Sequence, residues 1–230
     1  MAGNGKSKRH KSGRCKKGAS HREPPLDEKS YHIDCGDVVT LEQSPAKALP
    51  LALGSRAAWR FLVTISMYEA SVPVFSARLK ALANVLNIAE QNAADRKIDP
   101  QVYLTARLAP DMFALTRQVQ IATDHAKGAP SRLAGREVPK YEDNEANFAD
   151  LQARLTKTLD YLATFSAAEF DGSDDRIVEL RLAGREVSMP GMQYLLHAAM
   201  PNFYFHLTTA YDILRHNGVP LGKSIFLGSR

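Results

Sequence analysis

Apolar residues recur at three- and four-residue steps across about 67–94. Val72, Phe75, Leu79, Leu82, Leu86 and Ala89 form one stripe, the pattern of a helix that buries a single face. Pro73 falls in its first turns, where a missing N–H costs least. Asp99-Pro100 starts a short helical piece that runs to Arg107. Pro110 then opens a second long helix, to about Leu133, striped by Leu108, Met112, Leu115, Val119, Ala122 and Ala126. Gly128 and Pro130 weaken its last turns, and Gly135 is a natural stop. After a polar entry at 141–144, Phe148, Leu151, Leu155, Leu159 and Leu162 predict a third helix.

A different period follows. RIVELRLAGREVSM alternates apolar and polar, with β-branched residues on both sides of Ala183-Gly184. That reads as a β-hairpin. The run RLAGREV also occurs at 132–138, and two copies in different contexts indicate a shared turn preference or coincidence, not a repeat architecture. The last helix covers about 191–217, kinked by Pro201 and ended by Gly218 and Pro220. Its inward stripe is Leu195, Ala199, Asn202, Phe203, His206, Thr209, Ala210 and Ile213. Four long amphipathic helices bury their faces against one another. The expected fold is therefore all-α, a four-helix bundle with a small β-hairpin before the last helix.

Charge divides the chain of 230 residues in two. Residues 1–66 hold twelve lysines and arginines against six carboxylates, a net +6, while residues 67–230 sum to −1. The domain is expected at 67–230, and 1–66 is expected to be a basic, disordered extension, since KSKRHKSGRCKKG has no apolar period. The near-neutral total of the body gives no support for a basic, nucleic-acid-binding face there, so nucleic-acid or partner binding would run through the extension. Its His10, Cys15, His21, His32 and Cys35 lack the paired spacing of a zinc site. Strong periodicity starts at Met67, which predicts native translation beginning near that residue. No apolar run is long enough for a membrane helix, and no apolar stretch follows the basic run as in a secretory signal. With no cysteine in the body, a cytoplasmic protein is expected.

Polar residues on the apolar stripes carry the functional information. Asp111, Gln118 and His125 are spaced by sevens and would share one edge of the second helix. Asn202 and His206 are one turn apart on the last helix. If the two helices face each other, Asp111, Gln118, Asn202 and His206 would converge on a ligand pocket, since bundle interiors hold such sites. The alternative is that Asn202 and His206 are core groups satisfied by carbonyls near the Pro201 kink. Asp111 also suits a helix N-terminus, and His216 a helix C-terminus. There is no GxSxG, P-loop, dinucleotide fingerprint or CxxC.

The segments TISMYEASVPVF, RLAPDMFALTRQVQ, VPKYEDNEANFADLQARL and PNFYFHLTTAYDILRHNGVPLGKSIFLG resemble the domain-of-unknown-function family numbered nineteen ninety-three, over about 64–228. That family is similar to the DinB/YfiT-like bundles, to which metalloenzyme activity is ascribed. The resemblance implies the same four-helix fold and association as a homodimer. In the DinB-like pattern the last helix carries two metal-binding histidines four residues apart, ahead of a leucine-arginine. Counting back from Leu214-Arg215 places the second on His206 and the first on Asn202. A third histidine is expected on the second helix, which has Gln118 and Gln120 at its middle and His125 later. Amides are poor ligands for zinc or nickel beside imidazole, so the metal site reads as degraded.

The expected function is thus binding of a small molecule or partner in a polar bundle pocket, with no cofactor. A metal-dependent transferase or hydrolase, with His206 ligating a divalent metal and Asp111 as ligand or base, is the alternative.

Overall fold

The computed structural model describes residues 65–182 and 185–228. The readings made on 1–64 and on the turn residues Ala183 and Gly184 lie outside the described residues. What is described is mostly helical, with one small antiparallel hairpin.

Helix α1 spans Val72–Asp95. It starts later than the periodicity predicts, because 67–71 form a turn in which Ser71 Oγ donates to the Met67 and Tyr68 carbonyls. A short α2, Pro100–Leu104, is capped by Asp99, whose carboxylate accepts from the Gln101 N–H. Helix α3, Leu115–Ala134, begins a full turn after Pro110. Residues 110–114 bend instead: Met112 N–H donates to the Ala109 carbonyl and Leu115 N–H to the Ala106 carbonyl. Leu108 is consequently exposed rather than part of the stripe. Pro130 sits inside α3 without ending it, and Gly135 closes the helix in the left-handed conformation at φ 72°.

Asn147 caps α4, Phe148–Leu162, by accepting from the Asp150 N–H. A 3-10 turn at Ala167–Phe170 leads to strands β1, Ile177–Leu182, and β2, Arg185–Pro190. They pair antiparallel with Val178 opposite Met189 and Arg181 opposite Glu186. The last long helical segment is composite. Gly191–Tyr194 (α5) passes through a π-turn at Leu195–Ala199 into α6, Met200–His216. Pro201 lacks an N–H, and the wider π-turn just before it absorbs the mismatch. A further helix, α7 at Lys223–Leu227, has no counterpart in the sequence reading. Its last carbonyls accept from Arg78 of α1 at 3.1 and 2.8 Å.

Helix α3 packs against α6 and α4, while α1 packs on α4 and α7 and also meets α3 and α6. Their apolar stripes meet in one core. Phe75 and Phe203 sit edge to face at 4.9 Å among Leu79, Leu86, Val119, Leu151 and Leu155. Each such side chain contributes roughly 1.5–3 kcal/mol by leaving water. Gly191, at the joint of hairpin and helix, has no room for a side chain: a Cβ would fall on the Ser173 carbonyl and within 2.9 Å of Leu133. No helix among the described residues is long and apolar enough to cross a membrane.

Candidate functional site

Residues Gln118, His125 and Arg132 stand seven apart on α3. At 100° per residue each lies about 20° round from the one before, so the three span about 40° along a single edge. That edge faces α6. Gln118 is buried, and its Oε1 meets Nδ1 of His206 at 2.7 Å. Its Nε2 donates to the Phe113 carbonyl at 3.0 Å. Turning the amide over would set two oxygens against each other at Phe113, so the carbonyl fixes the orientation. His206 must then carry its proton on Nδ1. Its Nε2 makes no hydrogen bond among the described residues. None of their buried side-chain nitrogens or oxygens is left unpaired, so Nε2 reaches open space with its lone pair.

His125 stacks on His206, ring centres 6.0 Å apart and planes at 14°. Burial, reinforced by the charge His206 would carry, pushes His125 down to about 4 from its ordinary 6.5. Burial and the nearby Arg117 also lower His206. Both rings are therefore neutral at pH 7.

His125 borders a partly open cavity of about 280 Å³ lined by residues of α3, the α5-to-α6 segment and β1. Arg132, Arg181, Tyr194 and Asn202 supply its polar wall, Leu180, Ala198 and Ala199 its apolar one. Asn202 donates its amide N–H to the Ala198 carbonyl at 2.7 Å, next to the π-turn. Of the four residues marked by the sequence, the structure brings Gln118 to His206 and sets Asn202 on the cavity beside His125. It does not bring Asp111 with them: Asp111 is exposed in the turn before α3, off the helix edge that carries Gln118.

A family model described as "Domain of unknown function (DUF1993)" matches residues 67–227. The chain belongs to the DUF1993 family. It is also 41% identical to a DinB family member protein from Shewanella denitrificans, whose crystal structure superposes with a TM-score of 0.66. That similarity covers 71% of this chain and 93% of the other. A search of curated proteins finds no match.

The DinB relationship raises the question of a metal, and this DUF1993 chain's donors do not fit one. Gln118 spends its oxygen on His206 and its nitrogen on Phe113. Asn202 is tied to Ala198. The two imidazoles lie parallel instead of converging, and a transition metal needs lone pairs aimed at one point. Among the described residues no group of three or more His, Cys, Asp or Glu side chains could hold a metal ion.

Sequence reasoning passed over Arg132 and Tyr194, although Arg132 continues the heptad edge of Gln118 and His125. It also passed over Arg154, on the apolar face of α4 and only 2% exposed. Its guanidinium donates to Thr123, Asp124, Glu145 and the Glu142 carbonyl at 2.6–2.9 Å. Lys127 and Lys157 lie over the Tyr141 ring beside it. A larger, open hollow of about 510 Å³ borders this cluster. Its buried cation is already matched by Asp124, Asp143 and Glu145, so the cluster reads as a clasp between α3, α4 and the loop joining them.

Proposed function

We propose that this protein is a DinB-like four-helix bundle that binds a small molecule in the cavity between α3 and α6, in place of catalysis at a metal. One observation carries the reading: the cavity is walled by a neutral imidazole, His125, whose ring nitrogens make no hydrogen bond among the described residues. Since no buried side-chain nitrogen or oxygen among the described residues is unpaired, these ring nitrogens open onto the cavity, where one can donate to a ligand and the other accept from it. Asn202 lines this pocket, and His206, held by Gln118, stacks on the His125 ring that lines it. Asp111 is outside the proposal. His206 enters it as the ring stacked on His125, not as a metal ligand.

Soaking crystals of the protein in mixtures of small organic fragments tests this. Fragments are expected in the cavity beside His125, and Ala199→Met, which extends a buried wall residue into the space, is expected to exclude them. Fragments found only elsewhere on the surface would contradict the proposal.

A further inference from the structure

The cavity wall carries one charge that nothing nearby balances. Arg132 forms no ion pair among the described residues: its one side-chain hydrogen bond runs from Nη1 to the Tyr194 hydroxyl, at 3.2 Å. No carboxylate lines the cavity. This is in contrast to Arg117, Arg136 and Arg154, each matched to Asp or Glu. Arg181, the other cation on the wall, stands opposite Glu186 across the hairpin.

The guanidinium is also seated rather than loose. Nη1 lies so close to the α3 backbone that a Cβ on Gly128 would come within 2.6 Å of it. Gly128 therefore opens the seat, and Tyr194, almost wholly buried, holds the other side. Because Tyr194 oxygen accepts from Arg132, its own O–H remains to be donated, and no acceptor for it occurs among the described residues. Two guanidinium nitrogens and one phenol O–H, next to an uncharged imidazole, make a donor set with a single net positive charge. A planar fork of donors matches a carboxylate, and one uncompensated charge matches a monoanion better than a phosphate dianion.

We infer that the ligand of this cavity is a small monocarboxylate, its oxygens held by Arg132 and Tyr194 and its body lying against Leu180, Ala198 and Ala199. This deepens the reading under Proposed function and rests on it.

The test is a titration of full-length protein, with histidine rings labelled with ¹⁵N, at constant pH and ionic strength. The probes are acetate, butyrate and benzoate, the corresponding amides, and inorganic phosphate. The carboxylates are expected to shift the His125 ring signals saturably, and the amides to bind about tenfold or more weakly, the scale of one lost charge-assisted hydrogen bond. Arg132→Gln is expected to remove that preference, and Gly128→Ala to weaken carboxylate binding by displacing the guanidinium; thermal midpoints of both variants establish that they fold. Amides binding as well as acids, phosphate binding more tightly than any carboxylate, or unchanged affinity in folded Arg132→Gln would overturn the carboxylate assignment while leaving the pocket itself standing. If no probe moves the His125 signals, the pocket reading fails with it.

Discussion

At the scale of single residues the site turns on how one amide is oriented. The Phe113 carbonyl holds Gln118, Gln118 holds His206, and the imidazole is left with an open Nε2. Replacing Gln118 by Leu removes the acceptor at Nδ1, and His206 is expected to move its proton to Nε2, the site favoured by free histidine; ¹⁵N chemical shifts of the ring read this directly. Gln118→Glu would place a carboxylate against Nδ1 and is expected to raise the pKa of His206. The stacked partner has its own signature. His125 titrates at about 4 in the folded protein against 6.5 ordinarily. Between those values the unfolded chain binds a proton that the native state excludes, so stability falls as pH drops from about 6.5 towards 4. The loss is on the order of 2 kcal/mol after discounting for the part of the ring that meets water. His125→Phe should flatten this part of a denaturation profile measured against pH; an unaltered slope would mean the ring titrates normally.

Helices and strands carry the next level. Removing Arg154 leaves Glu145, itself 7% exposed at the side chain, and Asp124 without their shared cation. Arg154→Ala is expected to cost about 3–5 kcal/mol in chemical denaturation, and Arg154→Lys most of the same, since an ammonium cannot reach Thr123, Asp124 and Glu145 from one plane. Gly191→Ala should cost about 1–3 kcal/mol, because the Ser173 carbonyl would have to move. These elements differ in how legible they were. The stripes of α1, α3, α4 and α6 follow from apolar spacing alone, since each buries one continuous face. Helix starts were less visible: Pro110 suits a first turn, yet contacts from Ala106 and Ala109 hold 110–114 in a bend, and so Asp111 left the edge it was placed on. The two RLAGREV copies show the same limit. The first ends a helix at Gly135, while Arg181 and Arg185 of the second belong to paired strands. Identical local sequence is overridden by what each copy packs against. Arg154 was invisible because its partners come from α3 and from the loop before α4, which no spacing rule joins.

For the whole molecule, packing α3 against α6 achieves two things at once. It seals the core around Phe75 and Phe203, and it sets two polar edges together so that Gln118 meets His206 while His125, Arg132, Tyr194 and Asn202 surround open space. Membership of DUF1993 and similarity to a DinB family member make a metal the natural rival for that space. Beside it, His206 is tied to an amide and stacked on His125 instead of converging with other donors. Titrating zinc into full-length, untagged protein and into its His206→Ala variant decides between them. The two are expected to titrate alike, so that any zinc bound is independent of His206; one equivalent bound tightly by the unmodified protein and lost in His206→Ala would contradict the metal-free reading.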